Sequence, residues 1–171
     1  MESIKKLIRD IPDFPKPGII FKDITPILGD PAAMAAITGA FEKAFEGLKP
    51  TRVVGIESRG FIFGALLARA MNLPFTPVRK PGKLPYDKIS VQYTLEYGEG
   101  TLEMHTDGVT RDDRVLVMDD LLATGGTAAA TCELIEKVGA KVAGVGFVIE
   151  LAFLEGRAKL KGRNIVSLVT F

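Results

Sequence analysis

Val115-Leu116-Val117-Met118-Asp119-Asp120-Leu121-Leu122-Ala123-Thr124-Gly125-Gly126-Thr127 is the stretch that most clearly indicates a fold and a chemistry. Its first four residues form an unbroken apolar run, which is typical of a parallel strand buried on both faces. Two carboxylates follow at the end of this predicted strand, and an Ala-rich segment typical of a helix follows the two glycines. The stretch therefore predicts a strand, a loop and a helix, and ligands bind at the carboxyl ends of such strands.

The loop at residues 123–127 has the composition of a phosphate site. Gly125 and Gly126 lack a Cβ atom, so the backbone can approach a ligand closely, and Thr124 and Thr127 add hydroxyl donors beside the amides that begin the helix. Hydrogen bonds to a charged group contribute about 1.5–3 kcal/mol each, so three or four of them can hold a monophosphate without a lysine. We therefore predict that the loop binds a phosphate through its backbone.

Neither of two common nucleotide-binding patterns matches this loop. It has no Walker A lysine, and no G-x-G-x-x-G follows a strand elsewhere in the chain. An acid pair before Gly-Gly is also compatible with the ordinary start of a helix, where Asp lies near the positive end of the helix dipole. The pattern alone leaves this structural interpretation open.

Composition limits the classes of function. A chain of 171 residues with a net charge of +1 fits one globular domain and argues against nucleic acid as a partner, since nucleic-acid affinity depends on a basic surface. The one cysteine, Cys132, permits no internal disulfide, which favours a reducing cytoplasm, and its place in the predicted helix favours a core role. One His and one Cys also argue against a zinc site.

No targeting or membrane segment is predicted. The N-terminal residues 1–7 alternate charged and apolar side chains, unlike a signal peptide. The longest apolar run, residues 142–149, is far shorter than the roughly 20 residues that cross a bilayer. We expect a soluble protein with no membrane partner.

Strand and helix patterns alternate through most of the chain. This alternation predicts an α/β fold with a doubly wound, mostly parallel sheet flanked by helices. Predicted helices cover residues 4–8, 30–46, 61–71 and the segment after residue 127, and predicted strands cover residues 53–56, 75–78, 102–105, 115–118, 142–149 and 165–169.

The Pro-rich segment at residues 13–23 is predicted to be a stiff loop. Its apolar residues 19–21 need to be covered, either by the protein core or by a flat aromatic ligand. Both interpretations are compatible with the sequence.

Two further segments carry cations at strand ends. Arg59 lies in the turn Glu57-Ser58-Arg59-Gly60, where its guanidinium and the local amides can bind an anion. Residues 79–85 form a loop with three cations broken by Pro and Gly, which is either a solvated charge run or a second phosphate site. The next residues, 90–97, alternate like an exposed ribbon and predict a hairpin that can act as a mobile lid.

Together these segments resemble the adenine phosphoribosyltransferases of the type I phosphoribosyltransferase family. The resemblance spans nearly the whole chain and rests on five motifs: Asp13-Phe14-Pro15-x-Pro17-Gly18-x-x-Phe21-x-Asp23-Ile24, Ser58-Arg59-Gly60-Phe61, Arg79-Lys80-x-Gly82-Lys83-Leu84-Pro85, Leu95-Glu96-Tyr97-Gly98 and residues 119–127. It implies the transfer of the phosphoribosyl group from phosphoribosyl diphosphate (PRPP) to adenine, giving AMP and pyrophosphate, with Mg²⁺ as cofactor. It also implies a homodimer in the cytoplasm.

The resemblance also implies roles for individual residues. A single domain, 1–171, would contain a base-binding hood at residues 1–30 and a basic loop with a flexible lid at residues 79–100. The implied contacts are Ala123, Thr124, Gly125, Gly126 and Thr127 with the 5′-phosphate, Asp119 and Asp120 with the ribose, Ser58, Arg59, Arg79, Lys80 and Lys83 with pyrophosphate, and Ile20, Phe21 and Lys22 with adenine. Glu96 and Tyr97 would be catalytic residues on the lid.

Some of these implications are less specific. Lys22 stands where many relatives carry Arg, so the resemblance does not define its side-chain role. Magnesium would be held mainly by PRPP and water, with no dedicated protein ligand. Two alternatives remain: a phosphoribosyltransferase for another purine base, and a PRPP-sensing regulator of the same fold.

Overall fold

A computed structural model describes residues 1–95 and 98–171, with all of their side chains except those of residues 94, 95 and 98. Its centre is a sheet of five parallel strands in the order β4-β3-β7-β8-β9. The strands are β3 Arg52–Ile56, β4 Phe75–Val78, β7 Arg114–Leu122, β8 Lys141–Glu150 and β9 Ile165–Thr170. The predicted α/β fold with a parallel sheet is confirmed.

Helices cover both faces of this sheet. They are α1 Glu2–Leu7, α2 Thr25–Leu28, α3 Pro31–Phe45, α4 Gly60–Ala70 and α5 Gly126–Lys137. On one face, Leu116 and Met118 pack with α3 and α4, and on the other face Val115 and Val117 pack with α5. Alternate residues of β7 therefore enter two different cores, which is why the strand is apolar throughout. No helix in the described part of the chain is long and apolar enough to cross a membrane.

The strand order determines where a ligand can bind. Strand β3 comes first in the chain and pairs with β4 on one side and with β7 on the other. The chain therefore moves in one direction along the sheet from β3 to β4 and in the opposite direction from β4 to β7. Ligands bind in the crevice outside the carboxyl ends of strands at such a switch point. The turn after Ile56 and the second half of β7 meet at this crevice.

One boundary in the central motif was predicted wrongly. We predicted that the strand ends at Met118, but β7 continues through Leu122, so Asp119 and Asp120 lie within it. Neighbouring β8 explains the extension, because it offers backbone partners to Asp119, Leu121 and Leu122. The acids are consequently fixed by sheet pairing and do not lie in a loop.

The N-terminal 24 residues contain a small two-stranded sheet that the sequence patterns did not indicate. Strands β1 Arg9–Pro12 and β2 Ile20–Asp23 pair antiparallel, so the predicted stiff loop is confined to the residues between them. Of the two interpretations of the apolar residues 19–21, covering by the core does not hold for Ile20, which is 56% exposed. Pro12 ends β1, and Pro15 and Pro17 precede β2. Because prolines are typical of loops, they hide the strand signal of both segments.

A second antiparallel pair forms the predicted hairpin. Strand β5 Lys88–Leu95 pairs with β6 Gly98–His105, and the base of the hairpin packs on α5 through Val91 and Leu102. The predicted edge strand at residues 102–105 is the second half of β6. The base of the hairpin thus belongs to the core, and residues 96 and 97 lie outside the described residues.

Cys132 is completely buried in α5, and burial raises the pKa of its thiol to about 11. Since the thiolate is the reactive form, we expect iodoacetamide at pH 7.5 to leave the folded protein unmodified. Mass spectrometry should detect the adduct only after denaturation. Rapid labelling of the native protein would contradict the assigned burial.

Asp23 joins the small N-terminal sheet to α2. The Thr25 hydroxyl and amide and the Arg9 guanidinium all donate to its carboxylate, at distances of 2.6–3.0 Å, and they lower its pKa from 3.8 to about 2. A lowered pKa stabilises the fold above pH 3.8, and this contribution disappears as the pH falls toward about 2.

We therefore expect Asp23→Asn to be less stable than the wild type at pH 7, with the same difference at pH 5. The difference should shrink between about pH 4 and pH 2, because protonation then removes the charge from the wild type as well. Urea unfolding at several pH values measures it. A difference that stays constant to pH 2 would exclude this explanation.

Candidate active site

A cavity of about 590 Å³ opens at the carboxyl ends of β3 and β7, at the switch point of the sheet. A smaller hollow of about 70 Å³ adjoins it at the start of α5. The cavity is lined by Phe21, Glu57, Ser58, Arg59, Lys80, Tyr93, Leu102, Asp119, Asp120, Leu121, Ala123 and Thr127.

The smaller hollow is formed by the loop predicted to bind phosphate. All five residues of 123–127 line it, and Ala123 and Thr127 also line the large cavity. Gly125 has φ +77°, and a Cβ atom there would collide with the carbonyl oxygen of Gly156. Glycine is therefore required both by the backbone angle and by a close approach, and the following amides open the helix with the positive end of its dipole.

The two acids have different surroundings. Asp120 is buried, and its Oδ2 atom lies 2.7 Å from Nη2 of Arg59 but accepts no hydrogen bond of good geometry from any described residue. Asp119 lines both the large cavity and the smaller hollow, and its Oδ1 atom accepts a 2.9 Å hydrogen bond from the amide of Asp120. Burial raises the pKa of both carboxyls, and the neighbouring Asp120 carboxylate adds to the effect on Asp119. This pair would be stabilised by hydroxyl donors from a ligand.

Arg59 lies at the centre of the site. It precedes α4, and Gly60 behind it packs so tightly against β7 that a Cβ atom would lie 2.7 Å from the Met118 carbonyl oxygen and 2.8 Å from Asp119 Oδ1. The Arg59 guanidinium pairs with Asp120 and lies 5.0 Å from the centre of the Phe21 ring. It therefore connects the acid pair with the aromatic wall of the cavity.

The basic loop is held by a carboxylate that was not predicted as a site residue. Glu57 accepts from the Lys80 amide at 3.0 Å and from two nitrogens of Arg79 at 3.3 Å. Burial alone would raise the pKa of Glu57, but these donors outweigh it and lower the pKa. Of the five residues predicted to contact pyrophosphate, Ser58, Arg59 and Lys80 line the cavity, whereas Arg79 and Lys83 do not.

The predicted base-contacting residues separate in the structure. Phe21 lines the cavity, whereas Ile20 is exposed and does not line it. The Lys22 side chain lies away from the cavity, where its Nζ atom is 2.6 Å from Asp10 Oδ1 and 3.8 Å from the centre of the Phe171 ring. Alternation along β2 explains this, because adjacent side chains point to opposite faces of a strand.

The sequence patterns missed three residues of the site: Glu57, Tyr93 and Gly156. Glu57 is the first residue of the charged turn and could have been found there. Tyr93 lines the cavity with its hydroxyl 3.5 Å from Thr127 Oγ1, and Gly100 leaves room for its ring, since a Cβ atom there would lie 2.7 Å from that ring. Gly156 supports the loop from behind, and nothing in the sequence connects it with residue 125.

The predicted catalytic residues Glu96 and Tyr97 lie outside the described residues. Within residues 1–95 and 98–171, no group of three or more His, Cys, Asp or Glu side chains is arranged to hold a metal ion.

Comparison with known proteins identifies the family. The model of the phosphoribosyl transferase domain matches residues 24–164. An adenine phosphoribosyltransferase of Carboxydothermus hydrogenoformans is 56% identical over 99% of both chains. The crystal structure of adenine phosphoribosyltransferase from Thermoanaerobacter pseudethanolicus superposes with a TM-score of 0.97, at 51% identity over 99% of both chains.

A more distant structure contains ligands. It is the adenine phosphoribosyltransferase of Saccharomyces cerevisiae, solved in complex with an imino-altritol bisphosphate and adenine, and it superposes with a TM-score of 0.92 at 40% identity, covering 98% of this chain and 97% of that one. The similarity extends through every segment that lines the cavity. The chain therefore belongs to the phosphoribosyltransferase family and, within it, to the adenine phosphoribosyltransferases.

Proposed function

We propose that the protein transfers the 5-phosphoribosyl group from PRPP to adenine, giving AMP and pyrophosphate in purine salvage. One observation carries this proposal: the 119–127 segment, the Ser58-Arg59 turn and Lys80 of the basic loop meet in one cavity at the switch point of the sheet. The full-length relatives named for adenine support the choice of base.

The sugar phosphate would occupy the carboxyl end of β7. The hollow at Ala123, Thr124, Gly125, Gly126 and Thr127 would hold the 5′-phosphate, because amides and hydroxyls converge there at a helix N-terminus. Asp119 and Asp120 would accept hydrogen bonds from the ribose hydroxyls. Asp119 is nearer to the phosphate hollow, so we assign it the closer contact with the sugar.

The diphosphate would lie between the turn after β3 and the basic loop. Lys80 lines the cavity and has no ion-pair partner among the described residues, so its ammonium can meet a diphosphate oxygen. Arg79 and Lys83 would add positive potential from the rim, since Arg79 is engaged by Glu57 and by the Lys83 carbonyl. Ser58 and Arg59 would complete the diphosphate site.

Adenine would stack on Phe21. This ring is the aromatic surface of the cavity on the side of the N-terminal hood, residues 1–30, and Arg59 lies against it. Ile20 and Lys22 lie on the opposite face of β2 from Phe21, so both would contribute to base binding only through their main chain.

The arrangement suits a displacement at C1 of the ribose. Positive charge develops on the sugar, and negative charge develops on the departing diphosphate. Carboxylates beside the sugar and cations beside the diphosphate stabilise these charges, and they do so more strongly in a site closed to water. Mg²⁺, when carried in by PRPP oxygens and water, would neutralise part of the diphosphate charge.

Glu96 and Tyr97 would close over the cavity from the tip of the hairpin, in the lid at residues 79–100. We propose that Glu96 handles a proton on the purine ring. Glu96→Gln should then lower kcat by about 10²-fold and change the KM for PRPP little. Full turnover by this variant would exclude the role.

The function is tested by incubating the protein with PRPP, Mg²⁺ and each purine base in turn, and detecting the nucleotide by chromatography. We expect AMP from adenine and at least about 10²-fold lower rates with hypoxanthine, guanine and xanthine, because a site that pairs with polar groups of one base leaves them unpaired with another. A higher rate with another base would reassign the substrate. PRPP binding without turnover of any base would favour a sensor.

We also propose that the protein is a cytoplasmic homodimer of single-domain subunits, residues 1–171. Exposed apolar side chains such as Phe153, which is 71% exposed, support a surface available for association. The lone buried thiol of Cys132 is compatible with a reducing compartment. Light scattering coupled to size-exclusion chromatography measures the mass of the assembly, and a monomer at micromolar concentration would contradict the dimer.

A further inference from the structure

We propose that Glu103 is a positioning residue for the basic loop at residues 79–83 and, through it, for the diphosphate half of PRPP. This inference rests on the proposed function. Glu103 does not line the cavity, yet it is a carboxylate with only 8% of its surface exposed. A buried carboxylate is unfavourable unless hydrogen-bond donors or cations lie close to it, so its partners indicate its role.

Glu103 holds the loop through both its backbone and its side chain. Its amide donates to the Arg79 carbonyl at 2.7 Å, and its own carbonyl accepts from the Arg79 amide at 2.9 Å. Its Oε2 atom accepts from the Gly82 amide at 3.2 Å and lies 3.5 Å from Nζ of Lys88. The side chain thus reaches three residues further along the loop than the backbone contact.

Gly82 needs such an anchor. It has φ +76°, and apart from its chain neighbours no atom of the described residues lies within 4 Å of the position that a Cβ would occupy, so this side of the turn is open. Its hydrogen bond to Glu103 is therefore an important local restraint. Without it, we expect the turn at Gly82 to sample several conformations.

Two carboxylates hold the loop at amides two residues apart. Glu57, within the cavity, accepts from the Lys80 amide at 3.0 Å, and Glu103, outside it, accepts from Gly82 two residues later. Lys80 lies between these anchors, and its side chain lines the cavity. The backbone that carries the Lys80 side chain is thus held by an amide contact at Lys80 itself and by another two residues later. Small misplacements of a binding group are costly in catalysis.

The contact also connects the loop to the hairpin. Glu103 lies on β6, and Lys88 lies near the start of the paired strand β5. The restraint therefore acts on the diphosphate side of the cavity and leaves Phe21, on the N-terminal side, untouched. Loss of Glu103 should affect PRPP and pyrophosphate much more than adenine.

The test compares Glu103→Ala and Glu103→Gln with the wild type. We expect Glu103→Ala to raise the KM for PRPP and the inhibition constant of pyrophosphate about tenfold, with the KM for adenine within about twofold. Glu103→Gln retains an acceptor for the Gly82 amide and should recover more than half of that loss on a logarithmic scale. Glu133→Ala, which removes an exposed acid on α5, is the matched control and should change neither constant.

Thermal unfolding of each variant accompanies the kinetics. If Glu103→Ala does not fold, Glu103→Gln decides: an increase of about two- to threefold in the KM for PRPP and in the pyrophosphate constant, with the KM for adenine unchanged, supports the proposal. Unchanged constants in the folded variants, or equal increases for PRPP and adenine, would overturn it. Failure of the wild type to convert adenine and PRPP would instead refute the proposed function, so the two failures are distinguishable.

Discussion

Gly125→Ala should reduce kcat/KM for PRPP by about 10²- to 10⁴-fold. An alanine at φ +77° is strained by about 1–2 kcal/mol, and its methyl group would collide with the Gly156 carbonyl, so the loop must move. A displaced loop loses at least two hydrogen bonds to the phosphate, each contributing about 1.5–3 kcal/mol. Steady-state kinetics with varied PRPP measures the loss, since each 1.36 kcal/mol corresponds to about tenfold.

Gly162→Ala is the matched control for this variant. Gly162 has nearly the same backbone angle, φ +79°, but no atom lies within 4 Å of its Cβ position, and it lies in an exposed turn. We expect a similar backbone strain and no change in kcat/KM. Equal losses in the two variants would attribute the effect to general destabilisation and argue against a phosphate site at Gly125.

Arg59→Leu should lower kcat/KM for PRPP by at least about 10²-fold and also lower the stability of the protein. The change removes the cation beside Asp120, so a buried carboxylate is left without its partner. Such a loss typically costs about 3–5 kcal/mol, and we expect the lower end of this range because Arg59 is about one third exposed.

The stability loss should depend on pH. Without Arg59 the folded-state pKa of Asp120 rises further above the ordinary value of 3.8, so the carboxyl destabilises the fold progressively as the pH rises above that value. The difference in unfolding free energy between wild type and variant should therefore be larger at pH 7 than at pH 4. A difference independent of pH would contradict the pairing with Asp120.

Arg59→Lys separates the charge of Arg59 from its planar shape. Lysine keeps a cation near Asp120 and should retain most of the stability, but it lacks the fork that can bind a diphosphate at two points and the flat face that lies on Phe21. We expect an intermediate loss in kcat/KM. Activity equal to the wild type would show that only the charge matters.

The sequence patterns predicted the central strands of the sheet but missed the N-terminal strand pair and the end of β7. Val115–Met118 and residues 142–149 are unbroken runs without charged residues, and both lie in central strands. The β1–β2 pair was missed because its pairing depends on two segments separated by a Pro-rich turn, and neither segment shows alternation. The extension of β7 through the acids was missed because it depends on β8, a tertiary neighbour that the local pattern does not show.

Site residues could be predicted where they follow one another in the sequence. The 119–127 segment and the Ser58-Arg59 turn both contribute to the cavity, because the first contains the carboxyl end of β7 and the second follows β3. Lys22 and Arg79 were harder to interpret, since their partners Asp10 and Glu57 come from other elements. A side chain's direction in such cases depends on the opposing carboxylate, and sequence proximity to a motif does not determine it.

The contact between Gly125 and the carbonyl of Gly156 determines when, during synthesis of the chain, the phosphate loop can be completed. A ribosome-bound fragment that ends near residue 140 already contains every segment lining the large cavity, yet it lacks the carbonyl of Gly156 against which Gly125 rests and the Phe147 ring that lines the smaller hollow. Such a nascent chain should carry all five recognisable motifs and still fail to retain PRPP. Competence to bind the sugar phosphate would then arise only when the last part of the chain has been synthesised and folded.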